Sequence, residues 1–125
     1  MRDGLALRIA VFYDSSYRLR PIQEAEILAV IDEEQKVVEQ YENPALEMGL
    51  EAAIDGIFVL GAQALIVGEG TLPKEAYDAL KGRILFMPTS YKDLYQILDN
   101  LDEVKRAATE TVSSMEESGQ RGGQE

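Results

Sequence analysis

Ala64–Val67 and residues 83–87 are two short runs that are apolar at every position except Arg83, and neither shows the alternation of a strand with one wet face. Strands that read this way are buried on both sides, the usual condition of a parallel sheet covered by helices. The stretch between them, 73–81, lies between Pro73 and Gly82, which suit the first and last positions of a helix. After Pro88 a further helix is expected, with Leu94, Ile97, Leu98, Leu101 and Val104 on one stripe and Ser90 with Asp93 as an S-x-x-D capping box. A strand-helix-strand-helix order implies parallel pairing through right-handed crossovers.

The preceding part of the chain follows a different pattern. Residues 5–13 are apolar apart from Arg8 and end in the turn formers Asp14, Ser15 and Ser16, which predicts a central strand. A second apolar run at 26–32 and an alternating one at 36–42, where Val37 and Tyr41 flank Glu39, are joined by Glu33-Glu34-Gln35, short enough for a hairpin. Asn43-Pro44 then signals a helix start, Leu46, Leu50, Ala53, Ile54, Ile57 and Phe58 recur at helical spacing, and Gly61 suits the left-handed close. The expected order is β-β-β-α-β-α-β-α. It describes an α/β fold in three layers, a mixed five-stranded sheet with helices on its faces, arranged as in ribonuclease H. Residues 1–108 form the expected domain, and 109–125, with only Val112 and Met115 as large apolar residues, the expected disordered tail.

A chain of 125 residues with 46% apolar content has material for one core. It contains no cysteine and no histidine, which excludes disulfides, thiolate metal sites and the commonest general base near neutral pH. The net charge is −11; the four acids and one base of 109–125 leave −8 on the expected domain. Such a field repels a phosphate backbone, so nucleic acid is not an expected partner. No run is long and apolar enough to span a bilayer, and a cytoplasmic location is expected.

The residues resemble the dinitrogenase iron-molybdenum cofactor family of small NifX-like domains, also found at the end of NifB-like proteins. The resemblance runs from about Arg8 to Lys105 and is carried by Arg8-Ile9-Ala10-Val11, the run ending at Asp32, Asn43-Pro44, the helix 49–60, and Ala64-Leu65-Ile66-Val67-Gly68 leading to Gly70, Pro73, Lys74 and Ala76. It implies a non-enzymatic accessory domain whose cargo is an iron-sulfur or iron-molybdenum cluster precursor. Where that family usually has His-Phe-Gly this chain has Pro21, Ile22 and Gln23, and Met48-Gly49 stands where a His-Gly pair is common, so no cofactor is assigned.

Two segments are candidates for a ligand or partner site. Gly68, Gly70, Thr71 and Lys74 join a strand to a helix, where free amides and a lysine suit an anion. The long loop after the first strand carries Asp14, Ser15, Ser16, Tyr17, Arg18 and Arg20, a local concentration of donors and positive charge. If the first and fourth strands are parallel neighbours, both segments leave the same sheet end, where ligands of open α/β sheets bind. A small molecule or a protein is the expected partner, with a homo-oligomer left open. The rival reading is a divalent-metal phosphodiesterase using Asp14, Glu47 or Glu51, Glu69, and Asp102 or Glu103. A purely structural subunit binding through a helix or sheet edge is the third.

Overall fold

A computed structural model of the chain describes residues 6–112. Its elements are β1 (Arg8–Tyr13), β2 (Ile27–Asp32), β3 (Val37–Glu42), α1 (Ala45–Met48), α2 (Leu50–Val59), β4 (Ala64–Val67), α3 (Lys74–Leu80), β5 (Leu85–Pro88), α4 (Leu94–Asp99) and α5 (Leu101–Arg106). The five strands form one sheet in the order β3-β2-β1-β4-β5. Pairing is antiparallel between β1 and β2 and between β2 and β3, and parallel between β1 and β4 and between β4 and β5. The mixed three-layer α/β architecture expected from the sequence is the observed one.

Period-two alternation divides the core between the two faces of the sheet. Ala10, Phe12, Leu28, Leu65 and Phe86 pack with Ile54 and Ile57 of α2 and Tyr77 and Leu80 of α3. On the other face Ile9, Val11, Tyr13, Ile31, Ile66 and Met87 pack with Leu94 and Ile97 of α4 and Val104 of α5. Every residue of β4 is buried, the reason its sequence shows no alternation.

The hairpin is closed by a four-residue turn, 33–36, between the paired Asp32 and Val37. Asp32 Oδ1 accepts the amide of Gln35 at 2.9 Å, Lys36 donates its amide to Asp32 O at 2.8 Å, and Lys36 takes φ 60. This is a left-handed position, which glycine adopts without steric cost. Arg8 anchors the same corner: its guanidinium meets Asp32 Oδ2 at 2.7 Å and Glu39 Oε1 at 3.0 Å, and donates to Leu60 O at 2.7 Å, tying three strands to the end of α2.

Helix boundaries depart from the expectation in three places. The first helix is split by Gly49, whose φ of 93 is left-handed and ends α1. The last is split at Asn100, with φ −128. Asp93 is the residue that caps α4, accepting the amide of Gln96 at 2.9 Å, in place of the expected pair with Ser90; the strand-like backbone at Asp93 sets the helix start later. Asn43 is buried and caps Ala45 at 3.0 Å while its amide holds Ile22 O and Ala25 O. Gly61, at φ 74, has the expected left-handed conformation.

The described fold also continues past Ala108. Thr109 exchanges both backbone hydrogen bonds with Phe86 at 2.8 Å, and Val112 packs on the α2–α3 core. Open backbone groups on β5 give this segment a reason to order that its composition does not show. The rest of the expected tail, 113–125, and the expected start of β1 at Leu5 lie outside the described residues.

Candidate functional site at the carboxyl end of the parallel strands

Parallel pairing of β1 with β4 and β5 brings the loops after all three to one end of the sheet. Asp14 organises the first loop. Its carboxylate accepts the amides of Ser16 at 2.8 Å and Arg18 at 3.1 Å, and lies 3.8 Å from Nε of Arg20. Its backbone closes the turn, with Asp14 N on Arg18 O at 3.0 Å and Tyr17 N on Asp14 O at 2.8 Å. The Ser15 amide is taken by Glu26 at 2.7 Å. The backbone amides of Ser15, Ser16 and Arg18 are thus bound to the chain's own carboxylates.

Tyr17 sits at φ 69, rare for an aromatic residue. Its ring is held between Tyr13, 5.7 Å away between centroids, and Tyr95 at 5.2 Å. Tyr13 is fully buried, which pushes its phenol above the ordinary tyrosine value, while Gln40 donates to its hydroxyl oxygen at 2.7 Å. The loop then pairs with the start of α4: Leu19 donates to Lys92 O and Leu94 to Tyr17 O, each at 2.9 Å.

The glycine loop packs against this one. Ile22 donates to Thr71 O at 3.2 Å. A Cβ on Gly68 would lie 3.0 Å from the Leu19 side chain and 3.3 Å from that of Thr71, so glycine lets the two loops approach closely here. Gly70 takes φ 74, and Thr71 folds back with both its amide and its hydroxyl on Gly68 O. Lys74 meets Asp78 at 3.2 Å, and Glu69 meets Lys92 at 3.5 Å.

Between the loops remains a cavity of about 10 Å³, lined by Phe12, Leu19, Arg20, Ile22, Gly68 and Thr71 among others. That is room for about one water. Leu19 and Ile22, which the sequence reading passed over among the polar residues of the loop, fill the crevice where a ligand was expected. Their apolar character was the available signal. The structure brings Arg20, Gly68 and Thr71 to one lining. It does not carry Arg18 and Lys74 on one face: Tyr17 and Leu19 beside Arg18 pack on the α4–α5 side, and Lys74 opens α3 on the other. Ser15, Ser16, Arg18, Arg20, Gly70 and Lys74 are exposed on the rim.

The carboxylates of the rival reading do not gather. Asp14 is engaged as above, Glu69 pairs with Lys92, and Glu103 accepts the hydroxyl of Tyr91 at 2.7 Å. Among the described residues no three Asp or Glu side chains are placed to hold a metal. A soft cluster fits no better, because the chain has no cysteine or histidine, Met87 is fully buried in the core and Met48 is exposed on α1.

No family model matches the sequence, and no curated protein matches it. Solved structures do. A dinitrogenase-like protein of Methanocaldococcus jannaschii superposes with a TM-score of 0.64 over 88% of this chain and 98% of its own, at 10% identity. A NifB-like protein from Thermotoga gives 0.60 over 78% and 88% at 21% identity, and the apo form of the orange protein from Desulfovibrio gigas 0.65 over 86% and 95% at 19%. This chain shares their fold. Among the described residues no helix is long and apolar enough to cross a membrane.

Proposed function

We propose that this chain is a non-enzymatic NifX-like accessory domain that acts by contact with a protein partner at the carboxyl end of its parallel strands. The three fold neighbours and the residues shared with the NifX-like pattern support the family part of this reading. One observation carries the rest: Leu19 and Ile22 fill the crevice, so the end of the sheet offers a closed, polar surface in place of a ligand cavity. Ser15, Ser16, Arg18 and Arg20 present side-chain donors and positive charge on the β1 side of that rim, in an otherwise acidic molecule.

A photo-crosslinking residue at Ser16, introduced in the host cell, should capture one discrete protein, whereas the same residue at exposed Glu51 should not, and Arg18→Glu should reduce capture about tenfold. Equal capture from both positions would refute the surface. Anaerobic incubation with ferrous iron and sulfide should leave the protein colourless after desalting. A stable brown product would overturn the reading in favour of a cluster carrier. Thermal stabilisation by inorganic phosphate, lost in Lys74→Ala, would overturn it in favour of a small-anion site.

A further inference from the structure

The β3 edge of the sheet is open over the full length of the strand. Asn43 donates to Glu26 O at 3.0 Å and β2 pairs with β3 in the register Leu28↔Tyr41, Val30↔Glu39 and Asp32↔Val37. Alternation in an antiparallel ladder then turns the backbone groups of Val38, Gln40 and Glu42 outward, away from β2. Among the described residues no other strand or bridge covers them.

Beside this edge runs an apolar groove of about 340 Å³, floored by Ile31, Val38, Leu98 and Leu101, because α4 and α5 do not reach over β3. Its neighbour shares Leu98 and Leu101 and is lined by Asp99, Asp102 and Glu103 against one base, Arg106. Glu42 ends β3, Glu34 lies in the turn before it, and at the turn end the groove is also lined by Asp32, Glu33 and Lys36, two acids to one base. The edge therefore combines a row of unused backbone donors and acceptors, a trough for one face of an added strand, and a surplus of negative charge along its rim.

We propose that β3 receives an extended, basic segment of a partner protein as a sixth strand, with alternate apolar side chains in the groove and lysines or arginines against the acids. Backbone hydrogen bonds supply affinity in strand addition, and the pockets beside the strand supply selectivity. Charge decides the occupant. With Lys36 and Arg106 counted the acids still outnumber the bases, so a second copy of this chain would bring an edge of the same net sign, whereas a basic strand is attracted to it. The surface is separate from the rim of the proposed function and stands without it.

The probe is a synthetic peptide alternating lysine and valine, as long as β3 at six residues. Titrated into the full chain, it should shift the amide resonances of Val37 to Glu42 and of Leu98 and Leu101, and weaken as salt is raised. Glu42→Pro removes an outward N–H without touching the β2–β3 ladder and should lower affinity at least about fivefold. A peptide N-methylated at alternate residues should lose binding to the unmodified protein, which needs no variant to fold. Binding of a glutamate-valine peptide as strong as that of the basic one, or shifts confined to the carboxyl-end loops, would overturn the proposal. So would concentration-dependent shifts of β3 in the protein alone, which would make the occupant a second copy.

Discussion

Strand β5 ends the sheet on one side with four residues, and β3 ends it on the other with six, and the two are kept in place by different interactions. Phe86 and Met87 are fully buried, one on each face of β5, and Thr109 pairs with Phe86 on the outer side. On β3 no residue is fully buried; Val37 is 47% exposed and Tyr41 41%. It is held by the ladder to β2, by the Arg8 network and by the hairpin. An edge sunk in apolar contacts can be short and hidden, whereas one held by polar contacts keeps its outer side free. The consequence is functional, since only the second can accept another strand.

If that contrast is right, the two edges fail differently. Phe86→Ala should be the most damaging single change, costing about 3–5 kcal/mol, because it empties a fully buried site against Tyr77, whose ring lies 5.4 Å away. Chemical denaturation reads this directly. A loss below about 1 kcal/mol would show that β5 is not held by depth of burial.

Arg8→Met tests the other edge. It removes the donor shared by Asp32, Glu39 and Leu60 O, and should cost about 1–2 kcal/mol, a value kept low because the Arg8 side chain is 30% exposed. The pH dependence separates this from a simple packing loss. The Gln35 amide, followed by Arg8, holds the Asp32 carboxyl below its ordinary value, and the Arg8 guanidinium, followed by the Tyr41 hydroxyl, does the same for Glu39. Carboxyls lowered on folding add stability that is complete above the unfolded values near about 4 and is lost as pH falls through the folded ones. Stability of the wild type should therefore drop on acidification through that window, and the variant should drop less. Asp32 retains its bond to Gln35, so some acid sensitivity should persist; identical acid limbs would remove Arg8 from the account.

The same contrast explains what could be read in advance. Ala64–Val67 announced a strand buried on both faces because its apolar residues are continuous, and β3 announced itself by Val37, Glu39 and Tyr41. Such signals are local, and local periodicity is what burial imprints on a sequence. The site was less legible. Asp14, Ser15, Ser16 and Arg18 look like free donors and charges in one dimension, yet the turn they form satisfies its amides on Asp14 and Glu26. The role of Leu19 depends on Gly68, about fifty residues away in sequence, and no pattern within the loop encodes that contact. Asn100 breaks a continuous apolar stripe that periodicity alone extends through it.

The smallest expected effect concerns the turn that sets the register of β3. Lys36 holds φ 60 at the end of the turn, a conformation that costs an ordinary residue about 1–2 kcal/mol and glycine almost nothing. Glycine also loses more freedom on folding, by about 0.5–1 kcal/mol, so Lys36→Gly should stabilise by no more than about 1 kcal/mol, visible as a small rise in the urea midpoint. The hydrogen bond donated by the backbone amide of residue 36 to Asp32 O survives the change, so the register should not move. Because the outward groups of Val38, Gln40 and Glu42 depend on that register, the variant should bind the basic peptide as the parent does. A destabilised variant would mean that the Lys36 side chain, which lines the apolar groove, contributes more to holding the edge than its strained backbone takes away.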